Sequence, residues 1–201
     1  MKHLNYIVIV LAVIFLSACS TTQYSSRHQY MLPISQEASS QATNKIKTLV
    51  IAPTNIAPQF ASQQFTYRVS DENYLTDYYN IFFTSQNKQV QQMLINRLSF
   101  AKLNAYVTNG DTLLTPNYVL YSDILAFYAD YRHPNTPFSK VSIEFKLYKS
   151  TESGYHLVFD KTFESHTPLE EKTSEALMIG WGADIQNINS QLIQALRANG
   201  L

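Results

Sequence analysis

The only cysteine of the chain, Cys19, lies just after its longest apolar run, residues 7–16. This run follows Lys2 and His3 and is too short to span a bilayer well. A basic start, an apolar stretch and small residues before a cleavage point are typical of a secretory signal, which is absent from the mature protein. The sequence therefore predicts a signal peptide over residues 1–18. With one cysteine, no disulfide can form within the chain, so the fold must be held by its core alone.

The tetrad Leu-Ser-Ala-Cys at residues 16–19 resembles the bacterial lipobox. There the signal is cut before the cysteine, whose thiol is acylated, and the new N-terminus is usually acylated too. Two or more acyl chains give stable anchoring, whereas one gives only marginal binding. A buried structural cysteine is the alternative, but it does not explain why the only thiol lies at this position. We therefore predict Cys19 as the lipidation site. Ser20 favours the outer membrane in the enteric sorting rule, so the expected location is the outer membrane, on its periplasmic side.

The composition excludes a strongly charged binding protein. The chain has 15 basic and 15 acidic residues, and the signal peptide takes away one lysine, so nothing indicates nucleic-acid binding. Residues 19–29 are polar and predict a flexible tether, and residues 30–201 have the length of a single domain. The 14 tyrosines and 11 phenylalanines suit buried strands, or in part an interface, where tyrosine is enriched.

Periodicity predicts the fold class. Residues 141–148 alternate between apolar and polar side chains, which indicates a strand with one buried face. Residues 87–102 place apolar side chains at helical spacing. Further strands are expected at residues 30–34, 48–52, 65–69, 118–131 and 156–163, while residues 74–83 form either a strand or an irregular aromatic segment. We predict an α/β (α+β two-layer) fold: a mixed β-sheet of about four to six strands with two main helices packed on one face.

The second helix is expected at the C-terminal end of the sequence. Thr167, Pro168 and Glu170 fit a capping box with proline at the first helical position, and Thr173 is a rival start. Gly180 and Gly182 within it predict either close packing against the sheet or a kink. A single apolar stripe is expected to be buried on the sheet: Leu177, Trp181, Ile185, Ile188, Leu192 and Ala195.

The sequence shows no catalytic constellation. The five histidines form no metal-ligand pair on a helix, and the only thiol is assigned to lipid. Neither a Gly-x-Ser-x-Gly motif nor a glycine-rich phosphate loop occurs. We therefore expect no catalytic residues, no metal, no cofactor and no enzymatic activity.

The order of short motifs resembles the ABC-type transport auxiliary lipoproteins, the PqiC-like family. After the lipobox come a Tyr-x-Leu strand, an apolar strand ending in proline, a Tyr-Arg strand, an aromatic stretch before the first helix, and a last helix rich in Ala and Leu. They stand here at residues 30–32, 49–53, 67–68, 74–83 and 174–196. The chain departs from the family in having Tyr78-Tyr79 and Ser85-Gln86 where a tryptophan and a proline are common, and Gly180-Trp181-Gly182 where small aliphatic residues are commoner.

The resemblance implies a non-catalytic auxiliary subunit of an ABC/MCE-type intermembrane lipid transport system. The implied partners are the membrane, through the lipid anchor, and an MCE-domain protein, while the sequence leaves open whether the chain is also a homo-oligomer. One alternative is a lipoprotein that assists lipopolysaccharide assembly or activates a cell-wall synthase. Another, of a different class, is an envelope hydrolase.

The aromatic segment before the first helix is the predicted partner surface, because tyrosine and arginine often anchor interfaces. The alternative is that these rings only cover a sheet edge. Phe82 and Phe83 are expected to divide between core and surface, since neighbours on an extended chain face opposite ways. The candidate partner-binding residues are Tyr67, Arg68, Tyr74, Tyr78 and Tyr79.

Overall fold

A computed structural model describes residues 26–33, 47–110 and 114–201. The predicted signal peptide, Cys19 and the first residues of the predicted tether lie outside this part of the chain. Among the described residues, none of the helices has the length and apolarity needed to cross a membrane.

The described chain forms a mixed sheet and two long helices, which confirms the predicted class. The strands are β1 (His28–Tyr30), β2 (Lys47–Ile51), β3 (Asn55–Ile56), β4 (Gln64–Arg68), β5 (Tyr74–Phe82), β6 (Ala105–Thr108), β7 (Tyr118–Asp130), β8 (Phe138–Thr151) and β9 (Gly154–Pro168). The helices are α1 (Gln86–Phe100) and α2 (Ser174–Ala198), and a short 3-10 turn covers Pro58–Phe60.

The sheet is larger than the four to six strands expected, since the described residues contain nine. The two missed strands, β3 and β6, have two and four residues, too few for an alternating pattern to be recognised. The ambiguous segment at residues 74–83 is strand β5. At the N-terminal end, β1 includes His28 and Gln29, which the sequence assigned to the tether.

The long strand β7 organises the sheet. On one side it pairs antiparallel with β8 along nearly its whole length, and β8 pairs antiparallel with β9. On its other side β2, β3 and β4 pair in turn with successive segments of β7, and all three are parallel to it. Beyond β2 lies β6, and beyond β4 lie β5 and then β1. In this arrangement β1 and β9 form opposite edges of the sheet.

The core lies between the sheet and α2, as the apolar stripe predicted. Trp181, Ile185, Ile188 and Leu192 are completely buried, and α2 packs on β8 and β9 with α1 beside it. A Cβ atom on Gly182 would lie 2.5 Å from Cγ of Pro33, and one on Gly180 would lie 2.7 Å from Oγ of Ser139. Of the two interpretations of these glycines, close packing is therefore confirmed.

The predicted start of α2 is wrong by several residues. Thr167 and Pro168 are the last residues of β9, paired with β8, so the capping-box pattern falls on a strand. The rival start is the real one, because Thr173 is the N-cap and its side chain accepts a hydrogen bond from the backbone N–H of Ala176 at 3.2 Å. Strand pairing with β8 outweighs the local preference for a helix at Pro168.

Candidate partner-binding surfaces

The five candidate residues do not form one continuous surface, because β4 sends its side chains to both faces of the sheet. Phe65 points to the core, where its ring lies 5.1 Å from that of Trp181. Side chains alternate along a strand, so Tyr67 lies on that same face and Arg68 on the opposite one. Tyr78 and Tyr79 occupy a third position, on an irregular part of β5.

Tyr67 is half-buried and contacts two other residues of the described chain. Its hydroxyl donates to Oδ2 of Asp77 at 2.7 Å, and its ring stacks on Tyr131 at 5.2 Å between centroids. Burial, and then the hydrogen bond to the Asp77 carboxylate, raise the pKa of Tyr67 well above its usual value. Tyr67 therefore positions the Asp77 carboxylate.

Asp77 stabilises a bulge of four residues in β5. Gln64 pairs with Ile81, yet Thr66 pairs with Thr76, so residues 77–80 lie opposite a single residue of β4. Oδ1 of Asp77 accepts from the backbone N–H groups of residues 79 and 80, and Oδ2 accepts from the side chains of Tyr67 and Asn80. Partial burial opposes ionisation of this carboxyl group, but the hydrogen bonds outweigh it and lower its pKa.

The bulge presents Tyr78 and Tyr79 to solvent. Their rings meet edge to face at 5.3 Å, and the guanidinium of Arg27 lies 4.3 Å from the centre of the Tyr78 ring. Phe82 is buried and Phe83 is exposed, so the predicted division of these two phenylalanines is confirmed.

Arg68 and Tyr74 meet on the sheet face opposite the helices. They are cross-strand neighbours, and the Arg68 guanidinium lies 5.6 Å from the Tyr74 ring and 6.0 Å from the Tyr128 ring. Its Nη2 donates to the backbone oxygen of Asp71 at 2.9 Å. The arginine is therefore held between two aromatic rings, and Phe60 stacks on one of them, Tyr128, at 5.8 Å.

A carboxylate that the sequence analysis did not single out stands beside this arginine. Asp130, which is 1% exposed, is the parallel neighbour of Arg68. Nε and Nη2 of Arg132 donate to its oxygens at distances of 2.8–3.1 Å. Burial alone would raise the pKa of Asp130, but the hydrogen bonds and charge of Arg132, helped by the charge of Arg68, hold it below its usual value.

These groups border a cavity of about 580 Å³, which we call the Arg132 cleft. It is lined by Tyr128, Asp130, Arg132, Asn135, Thr136, Pro137, Phe138, Lys140, His166, Pro168 and Leu169. The two positive side chains of the lining already have acidic partners, since Arg132 is paired with Asp130 and Asp71, and Lys140 with Glu164. Aromatic and proline side chains make up much of the rest. Such a lining suits a partner segment that combines hydrogen-bonding groups with an apolar side chain.

Polar residues of α1 bind the backbone segment that contains Phe60. Nε2 of Gln86 donates to the backbone oxygens of Phe60 and Ser62 at 3.2 and 2.7 Å, and Asn87 donates to the backbone oxygen of Thr54 at 2.9 Å. Because these bonds fix the segment around the 3-10 turn, Phe60 is positioned beneath Tyr74 and Tyr128. Within the described ranges, no three histidine, cysteine, aspartate or glutamate side chains come together as a metal site.

Replacing Arg132 by methionine should raise the pKa of Asp130, because burial then acts with less opposition. In the native protein, the lowered pKa gives a contribution to stability that is present above the unfolded value near 3.8 and is lost as the pH falls through the folded value. The Arg132→Met variant should lose less stability on acidification. The measurements are a carboxyl NMR titration and denaturant unfolding at several pH values.

Lys161→Met is the control, since Lys161 lies on β9 and does not line the cleft. It should leave the titration of Asp130 unchanged. An Asp130 pKa that is the same in the native protein and in Arg132→Met would show that the ion pair does not set the ionisation of this carboxyl group.

The fold is shared with solved structures, although the sequence matches no protein-family model and no curated protein. Protein XCC0632 from Xanthomonas campestris, of the family DUF330, aligns with a TM-score of 0.63 and 15% identity, over 84% of this chain and 91% of that chain. An uncharacterized protein aligns with a TM-score of 0.59 and 15% identity, over 83% and 99% of the two chains. These two similarities show a common fold.

Proposed function

We propose that this protein is a lipid-anchored, non-catalytic auxiliary subunit of an ABC/MCE-type intermembrane lipid transport system. It would hang from the inner leaflet of the outer membrane into the periplasm and bind an MCE-domain protein there. The lipobox at residues 16–19 supports the anchor. The motif order shared with the PqiC-like family supports the transport role, and the domain has the fold of a DUF330 protein.

The Arg132 cleft, with Arg68 and Tyr74 beside it, is the observation that carries this proposal. Charged and aromatic side chains are concentrated here. Arg68 is held between Tyr74 and Tyr128, and Arg132 is fixed by Asp130 and by Asp71, whose Oδ1 lies 2.6 Å from Nη1. Because these groups are already ordered, binding a partner would cost this chain little side-chain entropy.

Co-purification of the MCE-domain protein from membranes tests the proposal. Arg68→Lys keeps the charge but loses the planar contact with the two rings, and Tyr74→Ala removes an exposed ring. Both variants should retain much less of the MCE-domain protein than the native chain does, with melting temperatures showing that they stay folded.

The matched control is Tyr155→Ala, which removes an exposed tyrosine from the far edge strand β9 and should leave binding unchanged. Full retention by the Arg68 and Tyr74 variants would exclude this surface. Recovery of a lipopolysaccharide-assembly protein or a cell-wall synthase in place of an MCE-domain protein would contradict the transport role.

A further inference from the structure

Large apolar side chains stand exposed along the β1–β5 edge of the sheet. Phe83 is 61% exposed, Tyr78 57%, Met31 54% and Tyr79 49%. Strand β1 runs parallel to β5, with His28 beside Asn80 and Tyr30 beside Phe82. Arg27 therefore lies at the end of this edge that carries the bulge, and Met31 lies at the end that carries Phe83.

Helix α2 adds the most exposed large apolar side chain of the described residues, Ile179, at 68%. The Tyr30 hydroxyl donates to Oε1 of Glu175 at 3.3 Å, and Gly182 lies against Pro33. Ile179 falls between Glu175 and Gly182 on the same face of the helix, so it lies alongside residues 30–33. We call Met31, Tyr78, Tyr79, Phe83 and Ile179 the apolar edge.

The start of the chain indicates what lies within reach of this edge. Arg27, whose guanidinium rests on the Tyr78 ring, is only eight residues after Cys19. A fully extended chain spans at most about 3.6 Å per residue, so an acylated Cys19 cannot be more than roughly 29 Å from Arg27. The lipid surface is therefore always within reach of the apolar edge, whereas β9 lies across the whole sheet.

The chemistry of the edge also suits a membrane surface. Tyrosine has an apolar ring and a polar hydroxyl, and it is enriched where the hydrocarbon meets the headgroups. Phe83, Met31 and Ile179 supply apolar area, and Arg27 supplies a positive charge that anionic headgroups attract. Asp77 keeps the bulge in shape through hydrogen bonds from Tyr67 and from residues 79 and 80, so Tyr78 and Tyr79 are displayed without a partner present.

We propose that the apolar edge rests on the lipid surface next to the anchor and orients the domain, with the Arg132 cleft left free for a protein. This inference rests on the lipid anchor of the proposed function. It assigns Tyr78 and Tyr79 to the membrane, whereas Arg68 and Tyr74 remain with the protein partner.

Fluorescence quenching in vesicles tests the contact. The full chain carrying Phe83→Cys is expressed in bacteria, purified from membranes, checked for acylation of Cys19 by intact mass, and labelled at the new thiol, since an acylated Cys19 does not react. It is reconstituted into phosphatidylethanolamine–phosphatidylglycerol vesicles with or without nitroxide-bearing lipids. We expect the nitroxide lipids to reduce the emission several-fold. A Tyr78→Ser, Tyr79→Ser pair in the same background should remove most of this loss.

The control label at Tyr155→Cys has a similar exposure, 57%, on the opposite edge, and should not be quenched. Equal quenching at both positions, or none at position 83, in an acylated protein would overturn the lipid contact alone and return the edge to a protein partner or a second copy of the chain. An unmodified Cys19 would overturn the anchor of the proposed function, and this inference with it.

Discussion

Truncation of Trp181 to alanine should lower the free energy of unfolding by about 3–5 kcal/mol, the range found for large aromatic residues removed from cores. Trp181 is completely buried, and its ring lies 4.8–5.4 Å from the rings of Phe65, Phe82 and Phe127. Its Nε1 also donates to the backbone oxygen of Tyr128 at 3.2 Å. The substitution therefore leaves a cavity at the junction of β4, β5, β7 and α2, together with a carbonyl that has lost a donor.

Chemical denaturation with an unchanged m-value is the appropriate measurement. Phe83→Ala is the matched control, because it removes a large aromatic side chain of which more than half is exposed, and it should change stability by less than about 0.5 kcal/mol. Equal effects of the two substitutions would contradict the packing of α2 on the sheet.

Substitution of Cys19 by alanine should abolish lipid attachment altogether. Only the cysteine sulfur can take the diacylglyceryl group, and Cys19 is the only cysteine of the chain. Two or more acyl chains are the expected means of stable attachment. The variant should move from the detergent phase to the aqueous phase on partitioning and should lack the acyl mass.

Ser20→Ala is the control for this experiment, because it changes the adjacent residue and keeps the thiol. It should remain acylated and attached to membranes. Processed, membrane-bound Cys19→Ala protein, with the same partitioning as the native chain, would refute the lipoprotein assignment.

The sequence predicted those parts of the fold that depend on long regular patterns. The stripe of Trp181, Ile185 and Ile188 is buried as expected, and the alternation at residues 141–148 is the middle of β8. The start of α2 could not be predicted in the same way. Its capping pattern at Thr167 competes with a strand partner on β8 that is distant in sequence.

The candidate surface could be predicted only in part, because its arrangement depends on strand register. The density of aromatic residues indicated the segment, but nothing in it shows that Asp77 would form a bulge, since this requires Tyr67 to face it. Asp130 and Arg132 were missed because they reach Arg68 only through the parallel pairing of β4 with β7. Sequence patterns predict strands better than they predict which strands lie side by side.

The proposed subunit would use two separate surfaces, the apolar edge and the Arg132 cleft. The apolar edge follows β1, the first described strand after the proposed anchor, while the Arg132 cleft opens on the sheet face that the helices leave uncovered. One chain can therefore contact lipid through Tyr78 and Tyr79 and a protein through Tyr74 at the same time. An auxiliary subunit that joins a transport conduit to the outer membrane requires both contacts.

Photo-crosslinking from position 74 in living cells tests the central claim most directly. A photoreactive amino acid at Tyr74 of the full chain lies beside the Arg132 cleft, and the same substitution at Tyr155, on the opposite edge strand, is the control. The account predicts a crosslink from position 74 to an MCE-domain protein, identified by mass spectrometry, and none to that protein from position 155. The absence of this crosslink at position 74, or its replacement by a crosslink to a lipopolysaccharide-assembly protein or a cell-wall synthase, would contradict it.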